Sequence, residues 1–340
     1  MTDRTPAIDS GTEPGWDLNF PRARSLLGSA VIRSEPEDFV VEELLDVDFT
    51  GSGEHLYLLL RKRNLNTFWV AHQLAEQYQV PPLAVGYAGL KDRRAVTTQW
   101  FSVATAAAAR PAFAHLVLND GERLELVTQA RHIRKLRRGD HRGNRFTLRL
   151  RQVTASREAM EQRLAAIAER GVPNYFGEQR FGHDGGNLQT FVDRLQNGRL
   201  PRQLPKRDLV LSAARSWVFN QVLSARVRDD SWHHDDDADP LSGTGPLWGR
   251  GRSPLSRDEE MRERTWLAPF EDWLYALEHA GLSQERRPLC LRPLNFSWRW
   301  LDDGDLQLHF SLPPGAFATA VLRELVEYRS ASPDKAGASR

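Results

Sequence analysis

The stretch GYAGLKDRRAVTTQWFSV (86–103) decides how this chain is read. Gly86 and Gly89 bracket a turn between two segments of strand character, and Val96, Thr97, Thr98, Trp100, Phe101 and Val103 supply the second of them. Asp92 sits in the connecting loop with Lys91, Arg93 and Arg94 beside it. A carboxylate held near cations keeps its charge even when partly buried, because the opposite charge offsets the loss of water. A nucleophilic or proton-abstracting carboxylate needs that condition. Taken alone, the same four residues also suit an ordinary charged turn.

Upstream, AVIRSEPEDFVVEELL (30–45) reads as two short strands, broken at Pro36. EHLYLLLRKR (54–63) reads as a strand with Leu56, Leu58 and Leu60 on one face. Asn66 or Thr67 can cap the helix that follows, where Val70, Leu74 and Tyr78 recur at helical spacing. Downstream, RLELVTQARHIRKL (123–136) and RGNRFTLRLRQV (142–153) read as two strands joined near Gly139 and Asp140. A helix over 157–171 follows, ended by Gly171 and Pro173. From 187 to about 280 the patterns are helical only, after which LNFSWRW and LQLHFSL return to strand. FATAVLRELVEY (317–328) predicts a closing helix. These runs predict an α+β core made of residues 21–170 and 291–327, with a mainly helical domain, 171–290, inserted into it. Residues 1–20 and 328–340 have the composition of disordered tails.

The net charge is +1, which averages out a strong asymmetry. Residues 131–151, RHIRKLRRGDHRGNRFTLRLR, hold eight arginines and one lysine against a single acid, Asp140. Such a band suggests a polyanion-binding face, or else a solvated basic hairpin. The chain has one cysteine, Cys290, so an internal disulfide and a thiolate zinc cluster are both excluded. No apolar run approaches the roughly 18 residues a membrane span needs. A cytoplasmic protein is expected.

The whole string around Asp92 resembles the signature of the TruD family of tRNA pseudouridine synthases, a G-x-K-D core running into A-V-T-x-Q-W. Other segments resemble that family in the same order: PEDFVVEE (36–43), RKLRRGDHRGNRFTL (134–148), VPNYFGEQRFG (172–182), SAARSWVFNQ (212–221) and LPPGAFATAVLREL (312–325). The likeness covers about residues 30–327 and is loose over 228–285.

The resemblance implies a pseudouridine-synthase-like mixed sheet with a TruD-specific helical insertion. It implies isomerisation of a uridine of tRNA, at the position numbered 13 in the D-stem region, with no metal and no cofactor. The family's catalytic Asp maps to Asp92. Phe39, Asn144 and Phe317 are implied as substrate contacts, with Phe146 two residues beyond Asn144 on the same strand face and Arg33 as a candidate partner of the carboxylate. Phenyl faces suit base stacking, and an Asn amide both gives and accepts hydrogen bonds on a uracil edge. Each Phe is equally at home in a core. Arg134, Lys135, Arg137, Arg138 and Arg180 are candidate RNA contacts, in a cleft between the two domains. Asn174 and Gln179, in the same box as Arg180, contact RNA or shape the cleft between the domains, and Gly177 and Gly182 suggest turns with positive φ. The partner is tRNA, with no membrane and no obligate protein partner.

Other motifs carry less. His233, His234, Asp235, Asp236 and Asp237 stand in a polar loop without regular ligand spacing. GTGPLWGRG (243–251) has Pro246 where a phosphate cradle needs backbone donors. A non-catalytic RNA-binding protein would not need Asp92. A hydrolase would want paired carboxylates or a metal site.

Overall fold

Leu56, Leu58 and Leu60 alternate inward along the central strand of the molecule, as their spacing predicts. The computed structural model describes residues 16–105, 118–233 and 241–331. The core starts with β1 (Ser29–Ile32), β2 (Phe39–Leu44), β3 (His55–Arg63), α1 (Thr67–Gln77), β4 (Val85–Tyr87), β5 (Val96–Ala104), β6 (Arg123–His132), β7 (Gly143–Leu150) and α2 (Arg157–Arg170). The chain then builds a second unit from β8 (Val172–Pro173), α3 (Gly186–Arg194), α4 (Arg207–Arg228), β9 (Thr244–Leu247), α5 (Arg257–Leu267), α6 (Glu271–Glu278), β10 (Glu285–Pro288) and β11 (Cys290–Leu291). It returns through β12 (Leu294–Trp300), β13 (Leu306–Leu312), α7 (Ala318–Leu322) and β14 (Glu327–Ser330). The class is α+β. Among the described residues no helix is long and apolar enough to cross a membrane.

The core is a mixed eight-stranded sheet, ordered β12-β13-β7-β2-β5-β3-β6, with β4 also paired to β5. Only β2 and β5 run parallel within it; the other pairings are antiparallel. Register fixes which side chains share a face, because cross-strand partners point the same way. Val41 pairs with Phe146 and Thr97, Glu43 with Asn144, Lys62 with Thr97, and Phe146 with Phe310. One face therefore carries Phe39, Glu43, Lys62, Gln99, Asn144, Phe146 and Phe310. Helix α1 packs its Val70, Ala71 and Leu74 on the β3–β5 part of that face. Helix α2 buries Met160, Leu164 and Ile167, and its Glu161 accepts from the indole nitrogens of Trp298 (2.6 Å) and Trp300 (2.8 Å) on β12. Trp298 and Trp300 pair with Leu308 and Leu306, which share a face with Phe310. Both helices thus flank the same face, and β2 and β7 run between them.

A separate two-stranded sheet pairs β1 with β14 in parallel. The second unit is centred on α4, fourteen of whose residues are buried. Phe181, Leu188 and Phe191 join them in its interior.

Several expectations are corrected. The compact units are Leu26–Ala168 with Pro293–Ala318 and the chain from Leu325, and Glu169–Arg292 with Thr319–Glu324 and the segment ending at Ser25. Residues 21–25 and 319–324, expected in the core, belong to the helical unit. Of the expected N-terminal tail, Trp16 packs edge-on against Trp217 (5.2 Å) and Trp273 (5.9 Å), and Phe20 is buried beside Tyr175. Apolar aromatics in a polar segment were the signal. Residues 1–15 and 332–340 lie outside the described residues. The closing helix stops at Leu322, because Glu327–Ser330 pairs with β1. Residues 123–153 form no hairpin: β6 lies at the sheet edge and β7 four places away. The helical block contains β9, which pairs with β10. Gly182 has φ 83°, but Gly177 has φ −75° and opens a 3-10 turn.

Candidate active site

The loop that carries Asp92 leaves β4 and enters β5, beside the start of β2. The Asp92 side chain is 54% exposed, and its Oδ2 accepts from Arg33 Nη2 at 2.7 Å. Arg33 lies just after β1, with φ 56°. A branched or long side chain enters that left-handed region at a cost, so neighbouring contacts must hold it there. The Arg33 carbonyl accepts from Arg94 Nη2 (3.3 Å), and Arg94 Nη1 also donates to the Ala331 carbonyl (2.6 Å). Ala331 N donates to Ile32 O at 3.1 Å.

The Arg33 guanidinium lies over the Phe39 ring, 3.9 Å from its centroid. Phe39 is 2% exposed and meets Phe146 edge-on at 6.3 Å; Phe146 in turn stacks on Phe310 at 5.4 Å. Asp92, Arg33, Phe39 and Phe146 therefore form one continuous chain of contacts. Asn144 shares the strand face of Phe146, and its Oδ1 is buried with no hydrogen-bond partner among the described residues. An unmet buried acceptor is costly and is normally filled by something. Phe317 is half-buried, five residues beyond Leu312, the ladder partner of Asn144.

Beneath the loop lies a polar layer inside an apolar sheet. Lys62 is 1% exposed, and its ammonium donates to the carbonyls of Leu65 (2.6 Å) and Asp92 (3.3 Å). Burial pushes it down to about 8, against the attraction of Asp92 and with repulsion from Lys91. Lys91 pairs with Glu43 at 2.7 Å, both side chains almost wholly buried, and the other Glu43 oxygen accepts from Trp100 N at 3.1 Å. Thr67 Oγ1 donates to Gln99 Oε1 (2.9 Å) and accepts from Lys91 N (3.1 Å). Gln99 Nε2 donates to Gly89 O (3.2 Å). Every turn of the loop is thus tied to β2, β3, β5 or α1. Sequence reading missed Lys62, although it continues the inward alternation of Leu56, Leu58 and Leu60.

The arginine band is divided. Arg149 is paired with Asp303 and Asp305, and Arg151 with Asp38, so both hold the sheet together. Arg142 and Arg145 meet Asp46 and Glu42 at the surface. Arg134, Arg137 and Arg138 are exposed, and among the described residues no carboxylate pairs with them. Lys135 is half-buried and donates to the Leu83 carbonyl. The loop bearing these residues is anchored near Asp92. Gly139 N donates to Ala88 O (2.9 Å), and Leu136 N to Ser102 Oγ (3.0 Å). A side chain at Gly86 would collide with the Leu136 carbonyl, 2.2 Å from its Cβ, which explains the glycine there.

In the helical unit, Arg180 donates to Ser212 Oγ (3.1 Å), and its guanidinium lies 5.3 Å from the Phe176 ring centre. Arg287 lies closer to the same ring, at 4.2 Å, and donates to Asn174 Oδ1 at 2.6 Å. Asn174 is buried and also donates to Pro288 O at 2.8 Å, so it shapes the fold. Burial lowers Arg180, and burial followed by Arg180 itself lowers Arg287 to about 10. Of the polar loop, His234–Asp237 lies outside the described residues. Among those residues no group of three His, Cys, Asp or Glu side chains could hold a metal ion.

Residues 27–191 match the family model of tRNA pseudouridine synthase D (TruD). The chain is 48% identical over 315 residues to tRNA pseudouridine synthase D of Cellvibrio japonicus, covering 92% of this chain and 94% of that protein. It is 42% identical over 338 residues to the protein of the same name from Pseudomonas entomophila, covering 92% and 95%. A crystal structure from Methanosarcina mazei, titled as a tRNA pseudouridine synthase D (TruD), is similar with a TM-score of 0.59 at 20% identity, over 89% of this chain and 94% of that one; it supports the fold alone. With such identity over nearly its whole length, the chain belongs to the TruD family of tRNA pseudouridine synthases.

Proposed function

We propose that this protein isomerises a uridine of tRNA to pseudouridine, at position 13 in the D-stem region, with the Asp92 carboxylate as its catalytic group and no cofactor. The observation that carries the reading is the Asp92–Arg33 pair: a half-exposed carboxylate fixed at 2.7 Å by a guanidinium that itself rests on Phe39. The reaction breaks the N1–C1′ bond and forms a C5–C1′ bond. The hydrogen on C5 leaves as a proton and N1 gains one, so atoms and electrons balance without an oxidant or reductant. Asp92 acts either on C1′ or on a sugar proton.

The base must leave the helix stack before any of this can occur, which costs a few kcal/mol of unstacking. Arg33 over Phe39, with Phe146 behind, offers a flat cationic surface against which a detached uracil can turn. The buried Oδ1 of Asn144 can accept the uracil imide hydrogen and hold the free base against loss. Exposed Arg134, Arg137 and Arg138 suit phosphates, with Lys135 and Arg180 as further contacts. The protein works in the cytoplasm on free tRNA and needs no protein partner.

The test is pseudouridine mapping in tRNA incubated with the purified protein after dialysis against EDTA. Pseudouridine at position 13 is expected. A product elsewhere would move the site, and dependence on a readded metal would overturn the cofactor-free reading.

A further inference from the structure

Beside the Asp92 loop the core has a hollow of about 220 Å3, lined by Leu65, Asn66, Trp69, Arg93, Asn119 and Glu122. It is smaller than the roughly 300–1,000 Å3 clefts that take drug-sized ligands. Its lining joins one indole, two carboxamides, one carboxylate and one guanidinium. The Arg93 side chain is 66% exposed at the rim, whereas that of Glu122 is 9% exposed. We infer that this hollow is a nucleobase subsite, taking a nucleotide that flanks the target uridine and selecting a base that carries an amino group. The inference rests on the proposed action on RNA and adds a sequence preference to it.

Three observations support it. The first is position. Arg93 follows Asp92 directly, and the Lys62 ammonium bonds at once to the carbonyls of Leu65 and Asp92. The wall of the hollow is thus two hydrogen bonds from the backbone of the Asp92 loop. The second is shape. Trp69 is half-buried, with part of its indole exposed, and aromatic faces beside hydrogen-bonding groups are the usual means of holding an unstacked base.

The third is the state of Glu122. Its Oε2 accepts from Asn119 N (3.0 Å) and Asn119 Nδ2 (2.9 Å). Its Oε1 meets Arg93 Nη2 at 3.4 Å, a long contact with an exposed side chain whose Nε also donates to Asn64 O at 3.2 Å. Burial raises this carboxyl, but the Asn119 bonds and Arg93 outweigh it and lower it on balance. An ionised carboxylate only accepts. Adenine, cytosine and guanine each offer it an amino group. Uracil offers one imide hydrogen between two carbonyl oxygens that the carboxylate repels. Once Arg93 swings to a flanking phosphate, Oε1 is open to such a donor.

The experiment uses short RNAs carrying the target uridine, with each of the four bases placed in turn on its 5′ and 3′ side. Dissociation constants and single-turnover isomerisation are measured for the wild type and for Glu122→Gln. At one flanking position the wild type should bind A, C or G about ten- to a hundred-fold more tightly than U, the range of one good base contact. Glu122→Gln keeps the shape and should shrink that preference to under about threefold, with unchanged melting temperature. Affinities indifferent to both neighbours in the wild type, or an undiminished preference in Glu122→Gln, would overturn the subsite. Isomerisation is read in the same samples. If no RNA yields pseudouridine while the preference in binding stands, the proposed reaction fails and the subsite survives.

Discussion

Lys62 carries a charge where Leu56, Leu58 and Leu60 carry methyl groups, and that position sets a pH dependence. Burial brings its ammonium from the ordinary 10.5 down to about 8. Between these values the unfolded chain binds the proton and the folded chain does not, so stability rises with pH through this window. The slope should approach about 1.4 kcal/mol per pH unit. Tyr78 and Tyr175, whose hydroxyls burial raises above the ordinary value of 10, pull the other way only above that pH. Urea midpoints from pH 8 to 10 should therefore climb in the wild type and stay level in Lys62→Met. That variant also unties the Asp92 and Leu65 carbonyls, and its turnover should fall at least about tenfold. Asp92→Asn should abolish isomerisation while leaving tRNA affinity within a few-fold; more than trace product would remove Asp92 from the chemistry. The two phenylalanines divide. Phe39 is closed in by Arg33 and Phe146, so Phe39→Ala should cost roughly 3–5 kcal/mol of stability. Phe317 is half-buried, and Phe317→Ala should slow single turnover about ten- to a hundred-fold with a small change in melting temperature. The reverse pattern would exchange their roles.

At the level of elements, the connection from β6 to β7 matters most. It crosses four strand positions and is pinned to the Asp92 loop at Ala88 and to β5 at Ser102. Arg137 and Arg138 project from it and, among the described residues, have no carboxylate partners. Replacing both with Ala should flatten the log–log salt dependence of tRNA binding by up to about two units, at roughly 0.7–0.9 per phosphate contact. A slope equal to that of the wild type would turn these side chains away from RNA. Much of this level was legible from sequence. Strands β3, β5, β7, β12 and β13 follow period-two patterns, and α1 starts at the predicted cap, with Asn66 accepting from Phe68 N at 2.7 Å. The Asp92 loop and the exposure of Arg137 were legible too. What sequence could not give was pairing at a distance. Nothing local in RHIRKLRRGD says that β2, β5 and β3 lie between β6 and β7, so two adjacent strands looked like a hairpin. Nor does a sequence separate Arg149 and Arg151, which neutralise Asp303, Asp305 and Asp38 from distant segments, from arginines left in water. Burial of Glu43 with Lys91 is a fact of the same kind.

The whole molecule is less a core with a simple insertion than two units that share their chain ends. The helical unit takes its middle from Glu169–Arg292 and completes itself with Trp16, Phe20 and Thr319–Glu324. Arg22 Nε donates to Arg323 O (3.0 Å), Ala23 N to Glu324 Oε2 (3.1 Å), and the Arg323 guanidinium covers the Tyr175 ring at 4.6 Å. A fragment of residues 169–292 should thus show no cooperative melting transition by calorimetry. A sharp transition in the fragment would make the flanking segments ornamental. Strand β14 has a consequence in time as well as in space. A ribosome delivers a chain from its N-terminus, and domains close in the order in which their parts emerge. Asp92, Arg33 and the strands beneath them are made early, yet the backbone around Arg33 is clamped by Ala331, more than two hundred residues later. A product whose synthesis stops before Glu327 would have its central strands but a slack Asp92–Arg33 pair. Activity should therefore appear in a nascent chain only after β14 has been made, an onset that isomerisation assays on stalled nascent chains would read.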